Sequence, residues 1–171
     1  MTRVERLCQT KLNGRNLYKV VNEHAISLVN YYIGILKLEL EDYARLDNEI
    51  RTILTKYKIH FQPSCKERMY LPRTEMGRGL CSVEHKSEQM LLQLRMQLEK
   101  DRHTSIKRKT ILSVGKKIWT HLALIVPYLS NKYNIGHLEI ELPILLDAQK
   151  TNLYEKSICI QSYISVLKTN W

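Results

Sequence analysis

No two aspartates are adjacent anywhere in these 171 residues. That removes the paired-carboxylate box with which two-metal phosphoryl-transfer enzymes hold both ions against the reacting oxygens. No Ser/His/Asp constellation and no glycine-rich phosphate loop takes its place, so no catalytic residue is assigned and the chain alone is not expected to be an enzyme. Cys8, Cys65, Cys81 and Cys159 are scattered without disulfide-like spacing, which fits a reduced, intracellular protein. His60, Cys65, Cys81 and His85 would make four zinc ligands on paper, but no C-x-x-C pair preorganises them, and neither metal nor cofactor is expected. The opening MTRVERLCQTKLN has no apolar core of a signal peptide, and the best apolar run, LALIV at 122–126, is far too short to span a bilayer. No membrane partner is expected.

Proline and glycine are scarce, four and six residues, and three of the ten fall within 69–80, MYLPRTEMGRGL. Pro72 fixes its own φ and lacks a donor, so this stretch cannot continue as a central strand. Gly77 and Gly79 flank Arg78, as a tight reversal needing positive φ requires. The simpler account is a structural turn between helices. The sharper one is a turn that aims Arg73 and Arg78 at phosphate.

What the chain has in excess is positive charge. The net +10 lies wholly in residues 1–117, with 23 Lys/Arg against 13 Asp/Glu, while 118–171 hold four of each. A basic front points to a polyanion, nucleic acid ahead of membrane, because no basic helix also carries a lipid-facing stripe. Residues 100–117 alone carry seven basic residues against one Asp. Read as a helix over 105–126, they put Ile111, Val114, Ile118, Leu122 and Ile125 on one face and Lys109 and Lys116 nearly opposite. Lys107, Arg108, Lys109, Lys116 and Lys117 are then candidate phosphate contacts beside Arg73 and Arg78. An ordinary solvated face is the competing account.

Apolar periodicity predicts three further helices. The first, over 17–36, is apolar around most of its circumference and expects burial on more than one side; His24 in its stripe reads as a core-edge histidine. The second, 40–57, turns Tyr43, Leu46, Ile50, Ile53/Leu54 and Tyr57 inward. Its acidic start is a favourable helix terminus rather than a metal site, although Glu39 is a poor cap and fraying is expected. The third, 84–100, turns Met90, Leu91, Leu94 and Leu98 inward. Pro127 and SNKYNIG at 130–136 mark a boundary. Beyond it, LEIEL at 138–142 alternates as a short strand closed by Pro143, and a last helix is expected over 152–168.

Several of these pieces carry a likeness. Tyr70-Leu71-Pro72-Arg73, Glu75 and Gly77-Arg78-Gly79-Leu80 resemble the LYLPR-x-E-GGRGL block downstream of the polymerase palm in non-LTR retrotransposon reverse transcriptases, of the type with a C-terminal restriction-like endonuclease. Asn22, Ala25, Tyr31, Gly34 and Ile35 resemble that family's N-x-x-A-x-x-x-x-x-Y-x-x-G-I helix, and Leu46-Asp47 continues the likeness, which covers roughly 12–99. Met76, Thr74 and Ser27 depart from the usual Gly, Lys and Pro. The tail is faintly similar to the end of the endonuclease through Glu139, Leu142-Pro143, Asp147, Glu155-Lys156, Gln161, Leu167-Lys168 and Trp171. The Pro-Asp element before that nuclease strand and the Cys/His knuckle are missing.

The resemblance implies a mainly α fold. A thumb-like helical bundle spans 12–126 with an extended Pro/Gly turn, and a small strand–helix appendage spans 137–171. It implies a fragment that grips RNA or an RNA–DNA duplex while a polymerase palm, supplied elsewhere, does the chemistry. The alternative is a free-standing basic helical RNA- or DNA-binding module. A surviving nuclease using Glu139 and Lys156 comes third.

Overall fold

The computed structural model describes residues 2–33, 38–61, 65–100, 105–117, 120–136 and 140–169. The protein is mainly helical. Its helices are α1 (Thr2–Cys8), α2 (Gly14–Val21), α3 (Ser27–Tyr32), α4 (Leu40–Lys56), α5 (Glu67–Tyr70), α6 (Val83–Lys100), α7 (Ile106–Lys117), α8 (His121–Tyr133) and α9 (Leu142–Thr169). A π-helical turn, Asn22–Ile26, joins α2 to α3, and a 3-10 turn, Arg73–Glu75, follows α5.

The central element is α6, against which α3, α4, α7, α8 and α9 all pack. Val83, Leu91 and Leu92 of α6 meet Ile50 and Leu54 of α4, Ile125 and Leu129 of α8 and Leu145 of α9 in one core, which also takes in Leu17, Val21 and Ile26. The start of α6 is held from outside its own helix. Asp47 on α4, itself buried, accepts from Ser82 Oγ at 2.6 Å, Val83 N–H at 2.9 Å and Glu84 N–H at 3.1 Å, satisfying amides that a helix start leaves open. Burial nevertheless raises the Asp47 carboxyl above its ordinary range, outweighing those three donors. The start of α4 is secured too, since Asp42 accepts the Glu39 N–H at 3.0 Å where the poor cap predicts fraying.

The sequence reading of the first long helix needs amending where the π turn falls. Leu17, Val21 and Ile26 are buried, whereas Leu28, Tyr31 and Tyr32 are exposed. One extra residue in the turn shifts the helix face, so the stripe that begins in the core ends on the surface. Gly34 and Ile35 lie outside the described residues.

The expected helix over 105–126 is two helices. Thr120 takes an extended conformation and its N–H donates to Gly115 O at 3.1 Å, so the chain turns between α7 and α8. Ile111 and Val114 are therefore exposed, while Ile125 is fully buried; Ile118 lies outside the described residues. Pro127, expected at a boundary, sits inside α8, and the helix ends only at Asn134 in the left-handed conformation.

Pro127 cannot donate to the carbonyl four residues back, which is that of Ala123. Arg95 supplies the missing donor: one guanidinium nitrogen reaches Leu122 O and Ala123 O, both at 3.0 Å. Arg95→Met should destabilise the fold by about 1.5–3 kcal/mol, the range for a charged hydrogen bond to a shielded carbonyl. The same change in a Pro127→Ala background should cost clearly less, because the restored N–H closes the helix by itself. Urea unfolding of the four proteins checks this; equal losses in both backgrounds would show that Arg95 acts otherwise.

The C-terminal strand is not seen. Ile140 and Glu141 are irregular, Leu142 already opens α9, and no strand occurs among the described residues; 137–139 lie outside them. Pro143 does not close a strand but stands in the first turn of a helix, where its missing donor is no loss. The last helix thus begins ten residues before the expected Asn152, and its first part packs on α5 and α6.

Candidate nucleic-acid interface

Chain reversal at 71–80 is built from backbone bonds. Gly77 N–H donates to Pro72 O at 2.9 Å, Gly79 N–H to Leu71 O at 2.9 Å, Arg78 N–H to Arg68 O at 2.9 Å and Leu80 N–H to Met69 O at 2.8 Å. The returning limb lies so close that a Cβ on Gly77 would fall 1.9 Å from Leu71 O. Asn22, in the π turn, fastens this loop to the first helix. Its side-chain amide donates to Gly79 O at 2.8 Å and its carbonyl oxygen accepts from Cys81 N–H at 2.9 Å. On the other side Glu75 pairs with Lys150 of α9 at 2.7 Å.

Arg73 and Arg78 project from this loop and are exposed. Arg73 also has a structural duty: it lies across Gly79 and donates to Arg15 O at 2.8 Å. Beneath the pair is Tyr18, whose hydroxyl is buried without a protein partner. Burial raises its pKa, while Arg78 and Arg73 pull it down. Arg15, exposed beside Arg73, is a cation that sequence reasoning did not single out. Its only available signal was the positive charge of residues 1–117 as a whole.

A second basic group is on α7, IKRKTILSVGKK, which contains no acidic residue. Lys107, Lys109 and Lys117 are exposed, and no carboxylate pairs with them among the described residues. Arg108 differs, being half-buried and donating to Gln97 O at 3.2 Å, so it ties α7 to α6. The Lys116 side chain lies outside what the structure describes. The other six expected contacts thus form two groups. One lies by the start of α6 and the other packs near Gln97, roughly 20–25 Å away along the helix axis at 1.5 Å per residue.

Comparison with family models, with curated proteins and with solved structures finds no match.

The four paper zinc ligands do not gather. His60 and Cys65 are buried, Cys81 is exposed, and Cys65 Sγ donates to Glu67 Oε2 at 3.2 Å. Among the described residues no three His, Cys, Asp or Glu side chains are placed to share an ion. Of the nuclease pair, Glu139 lies outside the described residues and Lys156 is an exposed residue of α9.

Met76 closes the 3-10 turn with φ 59°, left-handed, and its side chain is 80% exposed. A side chain there costs roughly 1–2 kcal/mol that glycine avoids, partly offset by glycine's greater freedom when unfolded. Met76→Gly should therefore stabilise the fold by roughly 0.5–1 kcal/mol, read as a rise in the urea midpoint at unchanged slope. A fall in midpoint would show that Met76 has a packing role.

Proposed function

We propose that this chain is the thumb segment of a non-LTR retrotransposon reverse transcriptase, gripping the template–primer duplex by its phosphates and leaving chemistry to a palm supplied elsewhere. The observation that carries the reading is α7, a helix with no acid whose Lys107, Lys109 and Lys117 are exposed and meet no carboxylate among the described residues. Such cations meet phosphates without reading bases. No aromatic residue lies among them, so base stacking does not carry the affinity. Support for the family reading comes from the contact between its two likenesses: Asn22 of the upstream helix bonds directly to the Gly-Arg-Gly turn. The same α7 serves the alternative, a free-standing basic RNA- or DNA-binding module.

Fluorescence anisotropy on an RNA–DNA hybrid tests the reading. Binding should be independent of base sequence, and a primer-extension assay with Mg²⁺ or Mn²⁺ should show no nucleotide incorporation. Arg78→Gln should weaken binding with little loss of stability, whereas Arg73→Gln should harm folding as well, since it frees the Arg15 carbonyl. Absence of binding to any duplex, or incorporation abolished by a point change in this chain, would overturn it.

A further inference from the structure

A cleft of about 210 Å³ opens between α4, α5, α6 and α9, with no residue of α7 in its lining. At roughly 30 Å³ per water it holds the volume of about seven waters, room for a phosphate and part of what it esterifies. Its lining is strongly charged. Arg51 from α4, Lys66 before α5, Lys132 from α8 and Lys156 from α9 face Asp47, Glu67 and Glu84.

The two signs are not equally free. Asp47 is used by Ser82 and two α6 amides, Glu84 is held by Lys132, and Glu67 accepts from Cys65 and faces Lys66 at 3.7 Å. Every carboxylate in the cleft therefore has a partner inside the fold. Arg51 and Lys156, from different helices, have none among the described residues. The cleft consequently presents unspent positive charge from two walls, with Tyr70 and Leu153 as its less polar lining. The first amides of α6 are already bonded, so a ligand would be recognised by side chains rather than by the helix terminus.

We infer that this cleft binds a phosphate group, held between the Arg51 guanidinium and the Lys156 ammonium. A carboxylate spends both its oxygens on the Arg51 fork, whereas a tetrahedral phosphate keeps a third for Lys156. Arginine's planar fork suits two of those oxygens and lysine's point charge a third. The inference does not depend on the duplex reading, because none of these residues belongs to α7 or the Arg73–Arg78 turn. The phosphate could belong to a free phosphomonoester or to a nucleic-acid strand.

The test is a titration of the full ¹⁵N-labelled chain with inorganic phosphate, against chloride at matched ionic strength. Saturable shifts at Tyr70, Ser82 and His85 are expected with phosphate alone. Arg51→Gln and Lys156→Gln should each weaken binding about tenfold, the usual scale for one charge-assisted hydrogen bond. Both positions are at least partly exposed, so the variants should fold normally. Lys19→Gln, on the surface of α2 and outside both sites, should leave phosphate binding unchanged. Adenosine monophosphate and one oligonucleotide, with and without a 5′ phosphate, then separate the sources. Binding of the monophosphate and only the phosphorylated strand identifies a phosphomonoester, and equal binding of both strands through Arg51 and Lys156 identifies backbone phosphate. Identical shifts with chloride, or wild-type phosphate binding in Arg51→Gln/Lys156→Gln, would overturn the inference.

Discussion

Gly77→Ala should lower the melting temperature by roughly 6–12 °C, the consequence of losing about 3 kcal/mol in a domain of this size. The added methyl would sit 1.9 Å from Leu71 O, 2.3 Å from Leu71 C and 2.6 Å from Leu71 Cβ. Two of these three atoms are backbone, so no rotamer change relieves the overlap. The limbs must separate, which stretches the Gly77 bond to Pro72, the Gly79 bond to Leu71 and the Asn22 clamp together. Gly14→Ala is the matched control, because nothing lies within 4 Å of a Cβ there and the site opens α2. It should be neutral or slightly stabilising. Thermal unfolding followed by circular dichroism compares them, and similar stability in the two variants would mean that the reversal is not closed as described.

Glu88→Ala should be as damaging, by roughly 3–5 kcal/mol, the range for removing one partner of a buried ion pair. Glu88 is 1% exposed and accepts from three donors on two helices: Lys132 Nζ at 2.5 Å and Tyr133 Oη at 2.8 Å from α8, and Gln149 Nε2 at 2.7 Å from α9. Without it the Tyr133 hydroxyl loses its acceptor in a shielded place, the Gln149 amide keeps only the longer bond to His85 O, and Lys132 keeps Glu84 as its one carboxylate among the described residues. Burial works against the Lys132 charge, yet Glu88 and Glu84 together hold its pKa above the ordinary lysine range. Glu84→Ala should cost far less, about 1 kcal/mol, because Glu84 is a quarter exposed and Glu88 remains. In a double-mutant cycle, Glu88→Ala with Lys132→Met should lose less than the sum of the two changes, since neither charge is then left alone. Additive losses, or a Glu88→Ala protein within 0.5 kcal/mol of wild type, would contradict this account of the packing of α8 and α9 on α6.

That network also shows where sequence reading stops. The inward face of α4 was legible because Tyr43, Ile50, Ile53 and Leu54 recur at helical spacing and all four are buried. On α6 the same rule placed Leu94 inside, where it is 40% exposed, and had no means of placing Glu88 inside. A carboxylate reads as solvated unless its partners are known, and these lie 44 to 61 residues away. The turn at 71–80 was legible as a turn because Pro72, Gly77 and Gly79 restrict the backbone locally. Its fastening by Asn22 from 57 residues upstream was visible only as a likeness of motifs, not as a bond. The LEIEL alternation was a short-range signal, and its last residue, Leu142, instead opens a helix that buries Leu145 and Gln149. For the candidate site, the basic run was legible as charge. Which of its members are free was not, since Arg108 is committed to Gln97 by a contact between helices.

Whether α7 grips phosphates is the central claim, and the salt dependence of binding to duplex DNA tests it most directly. Each neutralised phosphate contributes about 0.9 to the slope of log affinity against log salt. Lys107 and Lys109 are exposed and pair with no carboxylate among the described residues, so Lys107→Gln/Lys109→Gln should flatten that slope by about 1.8 while the melting temperature stays within error of wild type. Arg108→Gln should act mainly on stability, through the lost bond to Gln97. A slope unchanged in the double variant, with the fold intact, would show that α7 is a solvated surface and that the duplex is not held there.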